Sequence, residues 1–201
     1  MSVPRSDSTM IEGRVLHTPS TAPEITFRSG PGAPLATAVH NAASHKHRIT
    51  YADKSVIWVE SKPIAPTVIT RGDGTAIGSV LRADTSTAVA STGGTLCHFI
   101  PHPDTPSTPD LFRLLLLDRS GNKTGRLEII RTPAGWAMGY NGEHARDTTL
   151  WWDRTGPPLP VPILGTRLVM NRPIDRVERD ILLAACVDMA IGLQPYVAVM
   201  K

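Results

Sequence analysis

The run Ile181-Leu182-Leu183-Ala184-Ala185-Cys186-Val187-Asp188-Met189-Ala190-Ile191 carries one charge and no polar face. A helix on a protein surface shows an apolar stripe at 3.6-residue spacing with polar residues opposite. One that is apolar all round is surrounded on every side. The run is too short for a bilayer crossing, which needs about 20 apolar residues. It therefore predicts a helix buried inside a folded protein, with the preceding chain wrapped around it. The flanks agree. Asp175 followed by Glu178 has capping-box spacing, Gly192 is a stop signal and Pro195 prevents continuation. The expected helix runs from about residue 176 to 191, roughly 24 Å long. Its first turn, with Arg176, Glu178, Arg179 and Asp180, reaches the surface, and Ala184 and Ala185 let neighbouring strands approach.

What surrounds the helix reads as β-structure. Pro (18) and Gly (16) are plentiful, which suits many short strands and turns better than a helical bundle. Strands are expected at 49–51, 56–59, 67–70, 76–81, 87–90, 96–100, 111–117, 125–130, 136–140, 148–152 and 166–170, each rich in β-branched, aromatic or leucine residues. Residues 1–45 are dominated by Ser, Thr, Ala, Pro and Gly. They read as a flexible N-terminal arm in which Ile25-Thr26-Phe27 is at most an edge strand, leaving 46–201 as the folded domain. The polar, basic stretch from Asn41 to Arg48 leads into the first strand or forms a small anion-binding patch.

One pattern recurs. Residues 68–81 and 115–128 align so that Gly74 matches Gly121, Gly78 matches Gly125 and Val80 matches Leu127. Each unit is a strand, an acidic-Gly turn, a second Gly four residues on, and a strand. The first Gly fits a positive-φ turn position, and the second a bulge or a close backbone approach. Repeated hairpins ending in one apolar helix predict a mainly β protein, a closed antiparallel barrel filled by that helix.

The hairpin with its Asp/Gly turn at Asp73-Gly74 and from Asp118 to Gly121, the order of strands first and helix last, and the run Leu182-Leu183-Ala184-Ala185-Cys186-Val187-Asp188 resemble the tubby C-terminal-like superfamily. That superfamily includes phospholipid scramblases and the LURP-one-related proteins. The resemblance covers roughly residues 49–193 and implies a barrel of about twelve strands around a central hydrophobic helix. It also implies a non-enzymatic module binding a lipid headgroup, a membrane surface or a protein partner. The chain departs from scramblases in lacking a Cys-rich stretch and a membrane-inserting C-terminal segment, so scramblase activity and a lipid anchor are not expected. No stretch matches the phosphoinositide-binding motif of tubby domains.

The candidate sites are few. Trp136, Tyr140, Trp151 and Trp152 cluster near Arg146, Arg154 and Arg167. An exposed Trp beside arginines suits a headgroup surface, so Arg146, Trp151, Trp152, Arg154 and Arg167 are the candidate binding residues for an anionic lipid or a protein partner. Core packing of one of Trp151 and Trp152, with partial burial of the other, is the alternative reading. Cys97, His98 and His102 are the only hint of an enzyme site or metal ligands, and neither a fourth ligand nor a base is visible. No catalytic residue, metal site or cofactor is assigned. Arg154, Pro157 and Pro160 match a polyproline ligand but read as a connection, and Arg71-Gly72-Asp73 reads as a turn. Asp188, a carboxylate in an apolar helix, must be paired; a structural pair with an Arg from a strand is expected. A net charge of +3 without a dense basic cluster makes nucleic acid an unexpected partner. The first residues contain no apolar core of a signal peptide, so a cytoplasmic location is expected. A structural assembly subunit with a swapped N-terminal arm is a further reading, and the oligomeric state is left open.

Overall fold

A computed structural model describes residues 9–16, 24–30, 32–41, 44, 46–61, 65–83, 86–104, 111–131, 137–138, 144–145 and 163–192. Eleven strands follow one another as a meander: β1 (Thr9–Leu16), β2 (Glu24–Ser29), β3 (Pro34–Asn41), β4 (Lys46–Tyr51), β5 (Val56–Glu60), β6 (Thr67–Arg71), β7 (Ala76–Arg82), β8 (Thr87–Ser91), β9 (Gly94–Pro101), β10 (Leu111–Asp118) and β11 (Lys123–Arg131). Among the described residues the two-residue strands β12 (Ala137–Met138) and β13 (His144–Ala145) pair with each other. Strand β14 (Ile163–Met170) inserts antiparallel between β11 and β1 and closes a twelve-stranded barrel.

The helix α1 (Arg176–Val187) fills the barrel and packs closest on β5, β7 and β8. Every residue from Asp180 to Ala190 is buried. The strands supply the other half of the core by two-residue alternation: Ile25 and Phe27, Ile49 and Tyr51, Ile57 and Val59, Leu127 and Ile129 all point inward and are buried. Asp175 caps the helix, its carboxylate accepting from the Glu178 amide at 2.8 Å. Glu178 itself forms a double hydrogen bond with Arg172, at 2.5 and 2.9 Å. The helix does not continue unchanged to Ile191. At Asp188 it passes into a π turn, Asp188–Gly192.

The repeated hairpin takes the predicted form. The 71–75 and 118–122 turns share one hydrogen-bond pattern: Arg71 N to Thr75 O and Gly74 N to Arg71 O, then Asp118 N to Asn122 O and Gly121 N to Asp118 O, all 2.8–3.0 Å. Gly74 and Gly121 have φ near +87° and +83°. A ladder shift follows each turn, in the β6–β7 and β10–β11 pairs. The second glycine of each repeat is where backbones crowd. A Cβ on Gly78 would lie 2.5 Å from the Ala90 carbonyl and 3.2 Å from Ile181 of the helix; one on Gly125 would collide with the Val169 carbonyl. The same turn recurs twice more, at 29–33 with Gly32 and at 51–55 with Lys54, a non-glycine at φ +68°.

Two sequence expectations change. Residues 1–45 are not simply an arm, because β1, β2 and β3 are barrel staves. The barrel needs only one apolar or small face per stave. Ile11, Ile25, Phe27, Ala36 and Ala38 provide it in stretches whose overall composition looks like linker. Of the strand expected at 136–140 the described residues are Ala137–Met138, which pair with β13 rather than in the barrel, and the one expected at 148–152 lies outside the described residues. The strand count of about twelve is met by the N-terminal staves instead.

The meander gives the barrel two unlike ends. One is closed by the short hairpins after β2, β4, β6, β8 and β10. The other carries the connections 17–23, 42–45, 61–66, 83–86, 102–110 and 132–162, together with the C-terminal end of the helix.

Candidate binding site

Of the five predicted binding residues, Arg167 is described; Arg146, Trp151, Trp152 and Arg154 lie in 132–162, outside the described residues, as do Trp136 and Tyr140. The chain leaves the barrel for that segment at Arg131 and returns at Ile163, which are paired. Directly below this rim, on the outer wall, is a groove of about 530 Å³ crossing β2, β1, β14 and β11.

The groove follows from the register. Gly165 of β14 pairs with Arg14 of β1 on one side and Ile130 of β11 on the other, and Arg14 pairs with Thr26 of β2. Gly165 marks a close approach of β14 to β1: a Cβ there would lie 2.5 Å from the Gly13 carbonyl. The next row toward the hairpin end alternates in charge: Arg28, Glu12, Arg167, Glu128 and Arg113 are successive cross-strand neighbours on five strands. Within it Arg167 donates to Glu12 at 2.9 Å and to Glu128 at 3.4 Å, so its charge is shared between two carboxylates. Arg14 and Arg28 are exposed and have no carboxylate partner among the described residues; Arg28 donates only to the Gly32 carbonyl at 3.4 Å. Three guanidinium groups and one carboxylate line the groove. Guanidinium is the cation whose planar fork matches phosphate and carboxylate oxygens. The sequence singles out Arg167 but not Arg14 and Arg28, which it places in an arm.

A smaller groove of about 320 Å³ lies on the wall at β4–β6, beside Trp58, Lys46 and Arg71. Trp58 is 37 % exposed and sits cross-strand from Arg48 and Thr70.

The Asp188 expectation holds. Arg82 of β7 meets its Oδ2 at 2.5 Å, and Ser61 and Thr67 donate to Oδ1 at 2.5 and 3.1 Å. Behind Ser61 stand His47, with Nε2 3.2 Å from the hydroxyl, and His40, with its Nδ1 3.1 Å from Nδ1 of His47. His47 and Asp188 are fully buried.

The cysteine–histidine pair is not assembled. Along β9, Cys97 points into the core and His98 outward. Burial pushes the Cys97 and Cys186 thiols up to about 12, so neither is a thiolate at neutrality. Among the described residues there is no group of three or more His, Cys, Asp or Glu placed to hold a metal ion, and no helix long and apolar enough to cross a membrane. No family model, no curated protein and no solved structure matches the chain.

Proposed function

We propose that this protein is a non-enzymatic binding module of the tubby-like kind, holding the phosphorylated headgroup of an anionic lipid in the groove over Gly165. The observation that carries the reading is the pair of exposed arginines, Arg14 and Arg28, lining the groove and without carboxylate partners among the described residues. A closed barrel offers no strand edge for a peptide to extend, so recognition falls to side chains on the wall and to the connections. The groove opens toward the rim from which residues 132–162 depart, and that segment carries Arg146, Trp151, Trp152 and Arg154. Tryptophan is a residue type a membrane interface favours. A cytoplasmic leaflet, rich in anionic lipid, is the surface this charge suits.

Co-sedimentation with vesicles tests it. Vesicles carrying phosphoinositide or phosphatidylserine are expected to retain the protein, and neutral phosphatidylcholine vesicles are not. Arg14→Ala or Arg28→Ala each weakens retention by about 1 kcal/mol, roughly fivefold. Arg167→Ala weakens it less, because Glu12 and Glu128 already share that charge. Equal retention by neutral and anionic vesicles, or no retention at low salt, removes the lipid reading. Trp58, exposed beside Arg48, favours a protein partner as the second reading, since tryptophan and arginine dominate protein interfaces. Trp58→Ala is its test, with loss of a partner captured by the wild type as the expected result.

A further inference from the structure

We propose that the groove beside Trp58 docks the proline-rich segment 154–162 of a second copy of this chain. The inference rests on the reading of Trp58 as a partner-binding residue and deepens it by naming the partner. It uses a different part of the wall from the arginine groove.

The Trp58 groove, about 320 Å³, runs along the β5–β6 seam. Trp58 faces outward, because Ile57 and Val59 on either side of it turn inward and are buried. Thr70 stands opposite Trp58, and Val68 opposite Glu60. The lining continues along β6 to Gly72 and Gly74 in the turn. From Val68 to Gly72 it spans about 14 Å at roughly 3.4 Å per residue. A polyproline helix advances about 3.1 Å per residue, so four or five residues fill that length. A Cβ on Gly74 would meet nothing within 4 Å, so the turn leaves its end of the groove open.

The run Pro157-Pro158-Leu159-Pro160-Val161-Pro162 is apolar throughout and holds four prolines. Such a sequence has fixed φ angles, few N–H groups and carbonyls with no internal partner. It needs an apolar surface and hydrogen-bond donors. The groove has both: Trp58 and Val68 for packing, and the indole N–H, the Thr70 hydroxyl, Lys46 and Arg71 as donors. Aromatic-lined grooves are the usual docking sites of segments with prolines at this spacing. Arg154, three residues before Pro157, adds a cation at one end. Carboxylates stand at both ends of the groove, Glu60 at one and the exposed Asp73 in the turn at the other. Either direction of the segment therefore brings Arg154 to one of them. Glu60 faces Lys46 at 3.2 Å in an exposed pair, which exchanges partners at little cost. The other proline-rich connection, 101–109, has neither an apolar run nor a lysine or arginine.

The chain's own segment cannot fill its own groove. Pro160 is three residues from Ile163, where β14 begins, and stays within about 11 Å of it. Strand β5 is five places from β14 by way of β1, β2, β3 and β4, about 24 Å along the wall at roughly 4.8 Å per strand. The segment's attachment and the groove are thus on nearly opposite sides of one barrel. A two-fold pair does not bring both into contact at once. The association is head-to-tail and propagates into rings or chains.

A labelled peptide of residues 153–162 is titrated with the full chain by fluorescence anisotropy, and the mass of the unlabelled chain is followed by sedimentation as its concentration rises. The expected result is saturable peptide binding, with a weight-average mass that grows past that of a dimer and falls when excess peptide is added. Trp58→Ala weakens peptide binding by about tenfold or more and abolishes the growth in mass. Pro157→Ala combined with Pro160→Ala in the chain also abolishes the growth, yet that chain still binds the wild-type peptide, so its groove is intact. The proposal is overturned if the wild type neither binds the peptide nor gains mass, if a peptide with both prolines replaced binds as tightly, or if binding and growth survive Trp58→Ala. A foreign protein captured through Trp58 that the peptide does not displace also overturns it, while leaving Trp58 a partner-binding residue.

Discussion

Asp188 is the residue where the helix and the barrel wall are tied chemically. Its carboxylate is fully buried and takes hydrogen bonds from Ser61, Thr67 and Arg82 on three separate segments. Removing one member of a buried pair leaves the other uncompensated, which typically costs 3–5 kcal/mol. Arg82 keeps some contact with solvent, its side chain 22 % exposed, so Asp188→Ala should fall at the low end, about 3 kcal/mol in urea unfolding. Asp188→Asn, which keeps the shape and loses the charge, should cost less. An unchanged midpoint for Asp188→Ala would mean the contacts are incidental. The two buried thiols make a second prediction. Burial holds both pKa values near 12 in the folded state, above the ordinary thiol value of 9.0. The unfolded chain therefore loses protons first on going alkaline. This contribution to stability is complete below about pH 9 and is lost between there and pH 12. Replacing both cysteines by Ala or Val should flatten the alkaline limb of the stability curve.

At the scale of elements, the helix is a core component rather than an attached surface segment. Native protein should leave Cys186 unreactive toward a thiol reagent until it unfolds; rapid labelling in native buffer would place the helix outside the barrel. Ala184 and Ala185 are fully buried, and a larger side chain has nowhere to go. Ala185→Leu is expected to destabilise by about 1–3 kcal/mol by overpacking, read as a lowered thermal midpoint. The hairpins divide their glycines by role. Gly78→Ala drives a Cβ into the Ala90 carbonyl and Ile181, where backbone or helix must yield. Gly74→Ala meets empty space but a positive φ, so its cost should be limited to about 1–2 kcal/mol of backbone strain. Lys54 tolerates the equivalent turn position, and Lys54→Gly should accordingly stabilise slightly.

At the scale of the molecule, closure is the decisive property. Strand β1 pairs with β2 on one side and β14 on the other. Deleting residues 1–16 would expose two strand edges and one flank of the core, and would remove Glu12 and Arg14 from the groove. Such a truncation is expected to lose cooperative unfolding and near-ultraviolet circular dichroism. A truncated chain that unfolds like the full one would show the N-terminal staves to be dispensable. The unlike ends of the barrel also divide the labour. Short hairpins leave little surface to vary at one end. The other gathers the long connections, the groove beside the Arg131–Ile163 rim, the paired histidines and the end of the helix.

The amino-acid sequence determined the elements whose signal is local. An apolar run with a cap and a stop can only be a buried helix, and an Asp-Gly turn between β-branched runs can only be a hairpin. The 78/125 glycines were legible because crowding recurs wherever the repeat does. A lone carboxylate in an apolar helix announces its ion pair. Tertiary structure decided everything that depends on a partner distant in sequence. The strands β1–β3 read as linker because each has a single modest apolar face, and only flanking staves make that face enough to bury. Arg14 joins Arg28 and Arg167 along one groove, and His40 meets His47, because neighbouring strands take one register. A one-residue slip in either pair would send these side chains to the opposite face of the wall, and no pattern within a single strand specifies that register.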